Sequence, residues 1–228
     1  MTNDRMLTRC PNPNCKFEFD IPADREGKNG PCPSCGQVIT YRSLAVLREI
    51  ERQHERLKSK APGAPMISPG PVALRGLLED VRSLWNVGSI FRTADGAGFS
   101  ALYLCGITGC PPHKSIAKTS LGAEEHVAWS HHTSALEILP ELSASGVQIV
   151  ALETGPGSIP LRDALGGGML HTPLCLMVGN EVAGLSAEAS QRADLICHLP
   201  MRGIKSSLNV AVAFGIAAYA IGEQRQES

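Results

Sequence analysis

Aromatic residues are scarce, only 4% of 228, and the net charge is just −1. The first shortage means a core built from aliphatic side chains and alanine. The second excludes a protein that coats nucleic acid with a uniformly basic surface, while leaving room for a local basic patch. No apolar run reaches the roughly 18 residues that a membrane helix needs without a charge or glycine break, so no membrane partner is expected. Met1–Cys10 is polar and has none of the features of an export signal, which points to the cytoplasm. What is present suits a folded chain. Hydrophobic residues make up 43% and charged residues 19%, and 23 glycines with 16 prolines promise many turns.

The charge is unevenly spread. Residues 1–60 carry 11 Lys and Arg against 8 Asp and Glu, and the remainder 10 against 14. A basic N-terminal piece is joined to a mildly acidic body. Within the first piece, Cys10, Cys15, Cys32 and Cys35 are spaced C-x4-C-x16-C-x2-C. Two close pairs across a short polar loop suit a tetrahedral zinc site, and Pro33 and Gly36 fit the turn of the second pair. So short a segment has little core of its own, so metal binding would supply its folding energy. Two disulfides are the alternative, disfavoured without an export signal. Cys105, Cys110, Cys175 and Cys197 sit in or beside apolar runs and read as buried small hydrophobes.

Ser43 to Lys60 reads as a helix with Leu44, Leu47, Ile50 and Leu57 on one side and Arg48, Arg52, Arg56, Lys58 and Lys60 making another side basic. That basic face is either simply solvated or turned toward RNA. Proline and glycine between residues 61 and 71 mark a linker. Three parts are therefore expected: a zinc-ribbon-like domain at 1–40, a basic helix and linker at 41–71, and an α/β domain at 72–228. In the last, β-like runs near 72–78, 101–105, 126–130, 147–152, 173–178 and 195–199 alternate with helical stretches near 86–97, 133–144, 186–192 and 206–222. Such alternation implies a mostly parallel sheet, with function in the loops at the C-terminal ends of its strands.

Several motifs can be set aside. Gly96-Ala-Gly98-Phe-Ser-Ala101 has the letters of a dinucleotide fingerprint, but it follows a helix and precedes a strand, the reverse of what the fingerprint needs. Gly98 reads instead as a helix C-terminal glycine. His126, His131 and His132 read as a polar strand end and loop rather than a metal site. Three segments remain: Asn86-Val-Gly88-Ser-Ile-Phe-Arg92-Thr93-Ala94, Gly179-Asn180-Glu181-Val-Ala-Gly184-Leu185, and Pro200-Met201-Arg-Gly203 followed by Ser207-Leu208-Asn209. Each lies where a strand gives way to a loop or a helix. Asn86 is placed to cap one helix, and Ser207 and Asn209 to begin another.

In these three segments, in this order, the sequence resembles the SpoU/TrmH branch of the SPOUT RNA methyltransferases, over about residues 72 to 223. The resemblance implies a trefoil-knotted α/β domain, a homodimer, S-adenosyl-L-methionine as methyl donor, and methylation of a ribose 2′-hydroxyl in tRNA or rRNA. It does not cover residues 1–71. Carried onto this chain, it implies that the loops at Leu152 to Thr154, around Gly179, and from Leu199 to Leu208 hold the cofactor. Leu199, Met201 and Leu208 would pack on the adenine, and backbone groups of Gly179, Leu199 and Leu208 would bond it. The family account gives Arg92 a part in activating the hydroxyl. Because an arginine stays protonated, it reads better as a cation that binds the target phosphate and stabilises the developing alkoxide. Asn86, Glu181, Ser207 and Asn209 would orient substrate and arginine. For Arg92 the alternative is a structural ion pair, and for Asn86 and Asn209 simple helix capping. The competing function is a catalytically inactive RNA-binding protein that retains the fold.

Overall fold

The computed structural model describes residues 4–60 and 73–224, with side chains through Leu57 in the first stretch. The linker expected at 61–71 lies outside these residues. The N-terminal segment is two small antiparallel hairpins, β1 (Arg5–Arg9) with β2 (Glu18–Pro22) and β3 (Asn29–Pro31) with β4 (Val38–Thr40). Their shared core is only Cys10, Ile21, Cys32, Ile39 and Tyr41, with Met6, Cys15 and Phe19 at its margin. The Ser43 hydroxyl then accepts the Val46 N–H to start α1 (Leu44–Lys60).

The body is a seven-stranded, wholly parallel sheet. Its strands are β5 (Leu74–Glu79), β6 (Ala101–Cys105), β7 (Ala128–His132), β8 (Gln148–Leu152), β9 (Ile159–Pro160), β10 (Leu174–Val178) and β11 (Leu195–His198), in the spatial order β7-β6-β5-β10-β8-β11-β9. Every residue of β6 and of β10 is buried, as expected of parallel strands covered on both faces. One face lies under α2 (Leu84–Gly96), α3 (Lys114–Ser120), α5 (Leu161–Gly166) and α7 (Val210–Gln224), with Phe91, Phe99 and Phe214 in its core. The other lies under α4 (Leu139–Ala144) and α6 (Ala187–Ser190). The chain leaves β8, turns through β9 and α5, and re-enters the sheet with β10 between β5 and β8. This is the SPOUT-type α/β fold that the resemblance implies.

Three local expectations need correction. The helix expected at 133–144 is a 3-10 turn at Ala135–Glu137 followed by α4, because Pro140 has no N–H to give to a continuous ladder. The helix expected from residue 206 begins at Val210, so Ser207 is a loop residue. Asn86 does not cap α2. Ser83 does, its side chain accepting the Asn86 N–H at 3.3 Å, which frees the Asn86 side chain for another partner. Gly98 ends α2 as read, at φ 76°. Cys105, Cys110, Cys175 and Cys197 are all buried among apolar neighbours. His131 and His132 end β7 and His126 lies in the turn before it, a strand end and loop as read, with His131 buried.

Candidate active site

The sheet's C-terminal edge delivers three loops to one cavity of about 320 Å³. The first leaves β8, the second leaves β10, and the third joins β11 to α7. All six residues expected to hold the cofactor line it: Leu152, Thr154, Gly179, Leu199, Met201 and Leu208. Glu181 and Ser207 line it as well. The volume lies at the lower end of the range of about 300–1,000 Å³ for small-molecule sites, and apolar walls interrupted by a few polar groups are what such sites require.

The loop after β10 is tightly built. Asn180 and Gly184 exchange two backbone hydrogen bonds, Asn180 N–H to Gly184 O at 3.0 Å and Gly184 N–H to Asn180 O at 2.9 Å. The Asn180 side-chain oxygen accepts the Val182 and Ala183 N–H groups, while its amide donates to the Asp80 carbonyl at 2.8 Å. A methyl on Gly179 would collide with the Gly184 and Leu185 backbone, so the strand exit closes on itself only with glycine there. Glu153, from the β8 loop, accepts the Leu185 N–H at 3.0 Å and ties the two loops together.

Glu181 faces the cavity from the same loop. Its carboxylate accepts the backbone N–H groups of Arg82 and Ser83 at 3.1 and 3.0 Å and the Asn86 side-chain amide at 2.9 Å. Partial burial pushes its pKa up, but these hydrogen bonds outweigh that and hold it below the usual carboxylate range. The Asn86 oxygen accepts the Asn209 amide at 3.1 Å. Asn209 in turn caps α7, its oxygen accepting the Ala211 and Val212 N–H groups. All three motifs are thus joined by one relay, Glu181–Asn86–Asn209. Gly88 of the first motif has a different job, since a methyl there would strike Thr119 and the Ile116 carbonyl where α3 crosses α2.

Arg92 stands apart. It is exposed, has no ion pair or hydrogen bond among the described residues, and does not line the cavity of its own chain. It lies two helical turns beyond exposed Trp85, over whose ring Lys118 Nζ sits at 5.6 Å. The reading of Arg92 as a structural ion pair therefore finds no partner here. Asn180, Glu153 and His198 also line the cavity and were not named as site residues from the sequence, although Glu153 lies in one of the expected cofactor loops. Asn180 could have been caught, because it sits inside the quoted motif.

In the N-terminal ribbon the four cysteines converge. Their ligand atoms lie within 4.8 Å of one another, with Cys10 Sγ to Cys35 Sγ at 3.7 Å and Cys15 Sγ to Cys32 Sγ at 3.8 Å. Four sulfurs about 2.3 Å from a central zinc stand about 3.8 Å apart at tetrahedral corners. A disulfide needs about 2.05 Å, and all four thiols are free. The donor set fits zinc.

The family model of the SpoU rRNA methylases matches residues 74–219. The chain is 28% identical over 151 residues to the tRNA (guanosine(18)-2′-O)-methyltransferase of Escherichia coli, covering 66% of this chain and 63% of that one. Among solved structures, the AdoMet-bound rRNA methyltransferase of Sinorhizobium meliloti superposes with a TM-score of 0.62 at 30% identity, covering 71% of this chain and 59% of that one. The A. aeolicus TrmH/SpoU tRNA modifying enzyme gives 0.60 at 29%, covering 81% and 86%. The chain spans less than two thirds of the length of the first two.

Proposed function

The chain belongs to the SpoU rRNA methylase family, and from that premise we propose that it transfers a methyl group from S-adenosyl-L-methionine to a ribose 2′-hydroxyl of tRNA or rRNA in the cytoplasm. The observation that carries this reading is the relay of Glu181, Asn86 and Asn209, which draws three distant motifs to the rim of one cavity.

When bound, the cofactor supplies an electrophilic methyl on a positively charged sulfur. The chain's part is positional and electrostatic. Leu199, Met201 and Leu208 would pack on the adenine, and backbone groups of Gly179, Leu199 and Leu208 would bond it. Glu181 is a poor proton acceptor because its lone pairs are already engaged and its pKa is lowered. It serves as a brace that aims Asn86 and fixes the start of α2. Ser207 faces the reacting groups from the third loop. When the 2′-oxygen takes the methyl, the carbon–sulfur bond would break to leave a neutral thioether, the hydroxyl proton would pass to solvent, and the fixed charge of Arg92 would stabilise the alkoxide character that develops.

Arg92 does not reach the cavity of its own chain, which supports a homodimer in which it serves the partner's cavity. The surface for that pairing lies on α7. Val212, Ile216 and Tyr219 are each about half exposed, one turn apart, and form an apolar stripe. The small residues of α7 do not form it. Ala211, Ala217 and Ala218 are buried in the chain's own core, and Gly215 packs against Thr93. The ribbon, the basic face of α1, Trp85 and Lys118 would grip the RNA. Mapping 2′-O-methyl sites in a strain lacking the protein, then restoring the missing site in vitro with purified chain, cofactor and transcript, tests the reading. Cofactor binding without any methyl transfer to tRNA or rRNA would favour the inactive alternative.

A further inference from the structure

Arg42 sits between the ribbon and α1, far in sequence from every motif, yet its side chain is largely buried, 16% exposed, where the ribbon meets the body. It meets Asp80 at 2.7 Å, Glu188 at 3.6 Å and Glu79 at 3.7 Å. Two of these residues hold the loop after β10, Asp80 through its backbone carbonyl and Glu79 through its carboxylate, and the third, Glu188, bonds the ribbon. Asp80 accepts the Ile107 N–H on its other oxygen, and its own carbonyl accepts the Asn180 amide that shapes the loop after β10. Asp80 also has φ 56°, a left-handed conformation that a non-glycine residue keeps only when its surroundings fix it. Glu79 holds the far end of the same loop, accepting the Ser186 N–H and hydroxyl, both at 2.8 Å. Glu188 reaches back to the ribbon, accepting the Thr40 N–H at 2.7 Å, while Thr40 Oγ1 accepts the Ala187 N–H at 3.0 Å.

We propose that Arg42 is a positioning residue for the cofactor loop, through which docking of the ribbon sets the geometry of residues 180–186. The inference rests on the proposed function and extends it to a segment that the family match does not cover. Three carboxylates placed side by side repel one another, and a cation among them holds them in register. Without it, Asp80 and Glu79 lose their common anchor, and both ends of the loop relax together. Binding and docking are then linked: whatever loosens the ribbon's grip weakens the cofactor site.

The test uses full-length protein. Arg42→Ala is expected to weaken S-adenosyl-L-methionine binding by about tenfold in calorimetry, within the usual range of coupling between sites. The same change should raise KM for the cofactor more than it lowers kcat. Arg42→Lys should recover part of the affinity, because an ammonium reaches Asp80 but cannot span three carboxylates. Amide exchange of Val182, Ala183 and Leu185, read without cofactor, should speed up in the Ala variant. If Arg42→Ala does not fold, Glu188→Gln takes its place, with a smaller effect in the same direction. Unchanged cofactor affinity and unchanged exchange at the loop, beside a lowered Tm, would overturn the inference and leave Arg42 as an attachment between ribbon and body. A wild-type chain that binds no S-adenosyl-L-methionine would sink the functional reading instead, and loop exchange would still decide the role of Arg42.

Discussion

Asn86 and Asn209 are 123 positions apart and share a hydrogen bond of 3.1 Å between their side chains. Neither could make it alone. Asn86 is available because Ser83 caps α2 in its place, and Asn209 is aimed because its oxygen is pinned by two N–H groups of α7. Replacing Asn209 by alanine should remove a helix cap, costing about 1 kcal/mol of stability, and should also lower methyl transfer. Asn86→Ala should leave stability nearer to wild type, since the α2 cap remains, yet lower transfer similarly. Because both act through one bond, the double variant should be scarcely worse than either single one in single-turnover assays. Fully additive losses would show that the two residues work independently.

A second expectation concerns pH. On α1, His54 Nδ1 lies 3.0 Å from His131 Nδ1, and His131 Nε2 donates to the Gly106 carbonyl at 3.0 Å. Burial pushes the pKa of His131 down to about 4, and nearby His54 and His132 push the same way, against Gly106 and Glu137. A base depressed on folding contributes stability that is fully present above its usual value of 6.5 and is lost as pH falls toward about 4. Urea midpoints should therefore fall between pH 6.5 and pH 4, with an unfolding free energy lower by about 3 kcal/mol in total. Glu137, drawn down to about 2 chiefly by His132, whose Nδ1 lies 3.6 Å from its carboxylate, loses its contribution in a lower window, below about pH 4.5. His131→Gln should flatten the upper window and spare the lower one. A midpoint that falls equally in both proteins would assign the upper window to other groups.

The third concerns the ribbon. Its core of five buried residues is too small to hold two hairpins alone. The purified chain should carry about one zinc per protomer by elemental analysis. Chelation should release the ribbon from the body and expose the Arg42 contacts, leaving the parallel sheet folded. Cys32→Ser should reproduce that state. Zinc-free protein with an intact, protected ribbon would contradict the assignment.

Much of this was legible in the sequence, and the pattern of what was not has a physical cause. The strands β6 and β10 announce themselves as unbroken apolar runs, and the ribbon cysteines by their spacing. The residues expected to hold the cofactor followed from the family resemblance, and the chain brings them to one cavity. Helix α3 was missed because Lys114–Ser120 spans under two turns, too few for periodicity to show. The segment β9–α5 was missed for the same reason. The Arg42 cluster was invisible because its carboxylates lie 37 to 146 positions from the arginine, and only tertiary packing brings them to it. Asn86 was misread as a cap because Ser83, three residues earlier, is equally suited to that role.

Assembly gives a fourth expectation. Val212, Ile216 and Tyr219 present an apolar stripe on α7 while the opposite face of the helix fills the core. The chain should sediment as a dimer at micromolar concentration. Ile216→Glu places a charge at the middle of the stripe and should shift the protein to monomer without lowering Tm greatly, since that side chain is already half exposed. Methyl transfer should fall with dissociation if Arg92 serves the partner's cavity. A dimer that survives the glutamate would place the interface elsewhere.

The last expectation turns on Arg92 itself. It is exposed, unpaired among the described residues and absent from the lining of the cofactor cavity, so removing it should leave S-adenosyl-L-methionine affinity and thermal stability nearly unchanged. Its contribution should appear only when the 2′-oxygen acquires charge. Arg92→Ala should therefore lower single-turnover methylation of bound RNA by on the order of 10²–10³, the scale for loss of one charge-stabilising donor. Arg92→Lys should restore little, because an ammonium cannot address a phosphate and an oxygen at once with the planar fork of a guanidinium. Mixing Arg92→Ala chains with chains carrying a cofactor-site lesion such as Gly179→Val separates action within one chain from action across a dimer. The Gly179 variant keeps its arginine but closes its own cavity against the Gly184 backbone. If the arginine of one subunit serves the cavity of the other, mixed dimers hold one intact composite site and regain activity that neither parent has. If it works within its own chain, every mixed dimer lacks a complete site and mixing restores nothing.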